Sequence, residues 1–405
     1  MNYKLLFLIL FTLEHVYQLV LNLVQARSAN NPTPANVADV YDAETYQKWR
    51  AYHGEKSKLT IWRTIVSWAL TMVLLACNFH AAAASLFSDG VFMQMLGVLL
   101  AQTLVETVVF LGFSWVDTMV IEQKYGFNKT SVKTFVIDQI RGFIIEMVLN
   151  LLLLSLLAWL HISMGDWVVV LFTGVVFVLT LGISFLYGPV FSRLGNKFVP
   201  LEDGELKDKL MALLNKHGYQ VKAIEVMDAS RRTTKLNAYF TGFGKLKSIV
   251  LFDNLVNAMS TDEIVAVFAH ELGHGLHKDV IKQQTMNLGN LLLMAIAVWL
   301  TVREPAMHEA FGFAEVNYGF AFVLLGGLLG LIQPLTGMAM NAYSRHAEYR
   351  ADAQAVKEGY GEALIGGLKQ LAKENFSNLA PSKALVVLEY SHPPLSERIA
   401  AIEKA

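Results

Sequence analysis

Residues 260–302 read STDEIVAVFAHELGHGLHKDVIKQQTMNLGNLLLMAIAVWLTV, a short amphipathic stretch that gives way to a long apolar run. Ser260 and Glu263 form a capping-box pair, which fixes a helix start there. Within that helix, Phe268-Ala269-His270-Glu271-Leu272-Gly273-His274 sets two histidines four residues apart. Both imidazoles leave from one face and can bind a single Zn2+. Glu271 stands one step round, where it can reach a water at the metal and act as general base. Such a pattern also arises by chance, and a surface helix with incidental histidines is the bland alternative. The cap, the amphipathic pattern and the apolar run that follows favour the zinc reading.

That apolar run, 286–302, is one of seven long enough to cross a ~30 Å hydrocarbon layer. The others lie near 5–24, 64–85, 91–119, 143–161, 167–190 and 319–340. Seven spans put the termini on opposite sides and place the connections 25–63, 120–142 and 191–285 with the tail 341–405 on one side. Every Lys and Arg except Lys4 and Arg303 falls on that side, which the positive-inside rule makes cytoplasmic. The first run, with Lys4 before it and Val24-Gln25-Ala26 after it, also resembles a signal peptide. Its length and its Glu14 and His15 favour a retained transmembrane helix.

Composition agrees with a mainly α, multi-pass membrane protein: 54% of the 405 residues are hydrophobic and only 17% charged. A net charge of −1 gives no electrostatic support for nucleic acid. The single cysteine, Cys77, permits no intrachain disulfide and no cysteine-based metal site, so any metal must sit on histidines and carboxylates. Polar groups inside the spans include Glu14, His15, Asn78, His80, Gln102, Glu106, Asp117, Glu146 and Asn150. They fit either a water-filled cavity or helix-to-helix hydrogen bonds in a dry bundle.

The chain divides into 1–190, with five spans, a more soluble α+β, zincin-like segment 191–285, two further spans in 286–340, and a helical tail 341–405. The middle segment reads as a helix over 205–217, a strand over 222–228, and a hairpin turning at Gly242-Phe243-Gly244 between Leu236–Thr241 and Ser248–Phe252. The tail reads as helices broken at Pro381 and at Pro393-Pro394.

A catalytic zinc needs a third protein ligand. The all-histidine extended motif would require a histidine where Val280 stands, so it is excluded. His277 is one turn on and reads as a neighbour rather than a ligand. Glu348, in Ser344-Arg345-His346-Ala347-Glu348-Tyr349-Arg350-Ala351-Asp352, is the better candidate. Its helix follows the seventh span on the same side as the histidines. Asp352 shares its face and can hold an imidazole ligand or serve the reacting group.

These residues resemble the CAAX prenyl protease 1 family of integral-membrane proteases, whose eukaryotic members trim prenylated proteins. The resemblance extends through Tyr125-Gly126-Phe127-Asn128-Lys129-Thr130, Asn237-Ala238-Tyr239 with Ile249-Val250-Leu251-Phe252-Asp253, the HELGH core, Ser344-Arg345 with Glu348 and Asp352, and Ser391-His392-Pro393-Pro394. It implies a seven-helix barrel around a hydrated chamber, capped by a zinc-bearing domain on the cytoplasmic side. It makes His270, His274 and Glu348 the ligands of one Zn2+, Glu271 the base, and Asp352 a proton donor or supporting acid. Asn237, Ala238 and Tyr239 match an edge strand that pairs with extended substrate. His392 matches a residue near the scissile carbonyl. Arg345 and Arg398 look like site-supporting charges, Arg398 on the substrate side.

The expected partners are a peptide or prenylated protein and the lipid bilayer, for a monomer in a bacterial inner membrane or the endoplasmic reticulum. A general membrane-protein quality-control protease with no prenyl requirement remains open as an alternative. An intramembrane protease of the site-2 type would place the motif inside an apolar span, whereas Asp262, Glu263, Lys278 and Asp279 flank it here. A metal-dependent channel or transporter would explain the polar spans but has no need of Glu271 beside two zinc ligands.

Overall fold

The computed structural model of the chain describes residues 1–186, 193, 196–241 and 248–405. The turn expected at Gly242-Phe243-Gly244 and the end of the run 167–190 lie outside the described residues. The first helices are α1 (Tyr3–Ser28), α2 (Ala43–Ala76), α3 (Phe79–Ala84), α4 (Val91–Trp115), α5 (Val132–Met164) and α6 (Val168–Leu186). Next come β1 (Phe198–Pro200), α7 (Glu205–Lys216), β2 (Ala223–Met227), β3 (Ala238–Thr241), β4 (Ser248–Phe252), α8 (Asp253–Ala258) and α9 (Thr261–Leu276). The chain ends with α10 (Asp279–Arg303), α11 (Pro305–Glu309), α12 (Tyr318–Lys357), α13 (Gly361–Glu374), α14 (Lys383–Glu389) and α15 (Leu395–Ile402).

Among the described residues, six helical stretches are long and apolar enough to cross a membrane. The seven expected runs fall on these six because 143–161 and 167–190 share one stretch, residues 132–183. There α5 and α6 meet at a short 3-10 turn, Gly165–Trp167, entered through Gly165 with φ 56°. The expected run 64–85 is corrected: α2 starts at Ala43 and stops at Ala76, and Asn78 takes a left-handed conformation before α3. Hydropathy is continuous across this break, so it carries no trace of the left-handed residue.

Between 11% and 33% of each span is buried within the protein, so most span side chains are not packed against the rest of the chain. Polar groups meet each other where helices touch: Asn22 donates to Thr64 at 2.9 Å, and Gln102 bridges His80 at 2.7 Å and Glu106 at 2.6 Å. Gly330 of α12 leaves room for Glu14 of α1, whose Cγ would lie 2.5 Å from an added Cβ.

The sheet has the order β1-β2-β4-β3, with β2 parallel to β4 and the outer pairs antiparallel. β3 is therefore an edge strand, in register Ala238 with Leu251 and Tyr239 with Val250. The expected strand and hairpin strands form; β1, at three residues ending in Pro200, is too short to carry an alternation signal.

Helix α9 starts at the expected capping box, where Ser260 and Glu263 bond reciprocally. Its apolar face buries Ile264, Val265, Phe268, Ala269 and Leu272 against the sheet, α7 and α13. Each fully buried large side chain contributes about 1.5–3 kcal/mol. The opposing face crosses α12, which runs unbroken from the membrane to Lys357 with Pro334 inside it. Ala347, Ala351 and Ala355, all buried, form a small-residue stripe on α12. Gly273 completes the contact, since a Cβ there would stand 2.9 Å from the Ala351 Cα. The glycine between the two histidines thus sets how near Glu348 can come to them.

Candidate metal centre

The α9–α12 crossing brings His270, His274 and Glu348 together, with one ligand atom of each lying within 4.8 Å of the others. Glu348 Oε2 is 3.5 Å from His270 Nε2, and Oε1 is 3.2 Å from His274 Nε2. The far nitrogen of each imidazole meets an aspartate. His270 Nδ1 donates to Asp352 Oδ1 at 2.8 Å, and His274 Nδ1 to Asp279 Oδ2 at 3.1 Å. A ring whose Nδ1 carries the proton presents a bare Nε2, the form a metal requires.

Each aspartate is in turn fixed by cations or hydroxyls. Arg398 donates to both oxygens of Asp352, through Nη2 at 2.6 Å and Nε at 2.9 Å, and its Nη1 lies 3.3 Å from Glu348 Oε2. Asp279 Oδ1 accepts from Tyr343 at 2.8 Å and from Arg350 at 2.7 Å. Asp279 reaches His274 because Lys278, left-handed at φ 57°, turns the chain between α9 and α10. That conformation costs a non-glycine residue about 1–2 kcal/mol. Sequence reading missed Asp279, Tyr343 and Arg350. The only trace of them is an aspartate at the foot of an apolar run.

Glu348 Oε2 is buried and makes no hydrogen bond among the described residues, although Arg398 Nη1 stands 3.3 Å from it as an ion pair. Two imidazoles and a carboxylate with an oxygen that makes no hydrogen bond match the His2Glu set of a catalytic zinc. Burial pulls the His274 pKa down, yet hydrogen bonds to Glu348 and Asp279 outweigh it and push it up to about 9. The site is thus rich in negative charge around its imidazoles and suited to a cation.

Glu271 lines a cavity of about 230 Å³ with His270, Glu348, Asn237, Ala238, His392 and Arg398. Tyr239 borders a second, apolar hollow beside Glu271. The exposed His392 puts Nε2 3.4 Å from Glu348 Oε1. Arg398, expected on the substrate side, is buried, with its nitrogens turned to Asp352 and Glu348. Arg345 stands away from the ligands and donates to the carbonyls of Val386 and Tyr390, holding the segment that leads to His392. His277 caps α9 and is not part of the metal group.

Residues 4–197 match the family model described as CAAX prenyl protease N-terminal, five membrane helices, and residues 200–405 match peptidase family M48. The chain is 31% identical over 407 residues to the CAAX prenyl protease 1 homolog of Oryza sativa subsp. japonica, covering 97% of this chain and 95% of the rice protein. With CAAX prenyl protease 1 of Saccharomyces cerevisiae it shares 31% identity over 399 residues, 91% of this chain and 88% of the yeast protein. Among solved structures, the crystal structure of S. mikatae Ste24p matches at a TM-score of 0.93 and 29% identity, covering 99% of both chains. Two family models that between them span nearly the whole chain, with relatives of this length and identity, agree with the His-Glu-His-Glu geometry. The chain belongs to the CAAX prenyl protease 1 family of M48 membrane metallopeptidases.

Proposed function

We propose that this chain hydrolyses peptide bonds near the C-terminus of prenylated CAAX-type proteins, using one zinc held by His270, His274 and Glu348. The observation that carries the reading is the three-residue donor set with Glu271 on the wall of the same cavity. When bound there, the metal supplies Lewis acidity that polarises the scissile carbonyl and acidifies water. Glu271 takes the proton from the attacking water and returns it to the leaving amine. His392, at the rim beside Glu348, donates to the developing oxyanion. Asp352 and Asp279 act as positioning residues through the imidazoles, and Arg398 acts through Asp352.

An extended peptide adds as a strand to β3 at Asn237, Ala238 and Tyr239, which border the cavity and the hollow beside Glu271. Such pairing reads backbone and leaves the peptide's side chains largely free. The spans make seven membrane helices when α5 and α6 are counted apart; five of them fall within the segment whose family is described by five membrane helices. Their low internal burial and their polar groups, the exposed Glu146 among them, support a water-filled chamber. We place the zinc on the cytoplasmic side from the distribution of Lys and Arg, in a monomer of the endoplasmic reticulum or a bacterial inner membrane.

The test compares cleavage of prenylated and unprenylated CAAX peptides by purified protein, with and without chelator. Chelator-sensitive cleavage that depends on the lipid supports the proposal. Chelator-sensitive cleavage indifferent to the lipid favours general membrane-protein turnover, and cleavage that survives metal removal refutes the zinc assignment.

A further inference from the structure

We propose that Asn375 is a register stop for the substrate strand, an inference that rests on the strand-addition reading above. Just before β3, the Asn237 carbonyl accepts from the Phe252 amide at 3.1 Å, continuing the β3–β4 register by one pair, so Asn237 turns its peptide groups toward β4. By the two-residue alternation of a strand, Leu236 and Ala238 turn theirs to the open edge. At Leu236 that edge is already filled. Asn375 Oδ1 accepts from the Leu236 amide at 3.0 Å and Asn375 Nδ2 donates to the Leu236 carbonyl at 3.3 Å. The side-chain amide thus mimics one residue of a paired strand, and Asn375 lines the same cavity as Glu271 and Glu348.

The amide is held rigidly. Asn375 is the C-cap of α13, followed by Phe376 at φ 52°. The Phe376 amide bonds to the Lys373 carbonyl at 3.3 Å and the Ser377 amide to the Ala372 carbonyl at 2.9 Å, the double closure in which glycine is the usual left-handed residue. A phenylalanine there is strained, and the surrounding structure compensates. The Phe376 ring packs edge-on against Tyr41, Tyr52 and Phe127, and Trp49 donates to its carbonyl at 3.1 Å. The connection 29–42, the first turns of α2 and the residues after α4 therefore grip the turn that carries Asn375.

The consequence is specificity of position. A peptide pairs with Ala238 and beyond, displacing the Asn237 Oδ1 that the Ala238 amide meets at 2.9 Å, but finds both groups of Leu236 occupied, so the strand has one end point and one peptide bond faces the metal ligands. With Asn375 removed, the open groups of Leu236 accept a further residue, and the peptide slips by two, the smallest shift that keeps each side chain on its face.

The experiment uses the full-length protein and a series of peptides that it cleaves, lengthened by one to four residues at either end, with products identified by mass spectrometry. The wild type is expected to cut one bond. Asn375→Ala is expected to add a product displaced by two residues, raised roughly three- to tenfold as befits one or two hydrogen bonds. Asn375→Asp, which keeps size and acceptor but loses the donor to the Leu236 carbonyl, and Phe376→Gly, which keeps the backbone conformation but removes the ring, shift the products the same way and stand in if the alanine variant does not fold. Folded variants that cut only the wild-type bond overturn the proposal, because a merely structural Asn375 alters rate and not position. Backbone N-methylation of the peptide separates the two readings: if no methylated position slows the wild type, strand addition itself fails; if one does and the variants do not shift, only the register stop fails.

Discussion

The α9–α12 crossing and the membrane bundle of α1–α6 follow opposite rules. Eight of the sixteen residues of α9 are buried, a glycine and three alanines bring the helices to contact, and each imidazole is tied to an aspartate that is itself tied. In the bundle no more than a third of any span is buried, and its polar groups meet in pairs and small clusters. Chemistry that depends on tenths of an ångström sits where packing leaves no slack. The bundle leaves most of its side chains unpacked and tolerates looseness.

The comparison breaks first at Glu271. Glu271→Gln is expected to keep fold and zinc while lowering turnover by at least about 10²–10⁴, the worth of a general base. Single-turnover cleavage with metal analysis checks it, and retained cleavage would remove Glu271 from its role. Next is packing. Gly273→Ala forces α12 away from α9 and is expected to cost about a hundredfold in kcat/KM. Gly142→Ala in α5, where an added Cβ meets nothing within 4 Å, is expected to change stability by less than ~0.5 kcal/mol. Equal effects from the two glycines would erase the contrast.

The arms holding the imidazoles come third. Asp279→Ala and Asp352→Ala are each expected to weaken zinc binding about 10–100-fold in chelator competition. Last comes pH dependence, which no single substitution produces. Zinc must displace the proton that His274 holds up to about pH 9 in the metal-free protein, so affinity rises with pH by roughly tenfold per unit from 7 to 9 and then levels. In the same metal-free state, the stability that protonated His274 contributes is complete below its ordinary pKa and fades as pH rises through 9. Titrating zinc affinity against pH, with Asp279→Ala as the variant whose curve flattens, measures this.

Much of this was legible in the amino-acid order. Helical spacing joined His270 to His274 and Glu348 to Asp352, and the capping pair at Ser260 and Glu263 gave the start of α9. What escaped depends on backbone turns and distant contacts. Asp279 reaches His274 through the left-handed Lys278, Asn78 ends α2 inside a continuous apolar run, and Asn375 meets a strand far away in sequence. Glu348 was expected on a helix following the last span. It lies on that same helix, because nothing in residues 341–347 breaks it. The family resemblance puts Arg398 on the substrate side, yet its burial against Asp352 is a property of the assembled site.

The central claim is that His270, His274 and Glu348 together hold one zinc, with Glu271 free for chemistry. Zinc content per chain, measured on purified wild type, Glu271→Gln and Glu348→Ala, tests it directly. The account predicts one zinc in the first two and loss of zinc from Glu348→Ala under mild chelation, whereas a Glu348→Ala protein that retains a full equivalent would contradict it.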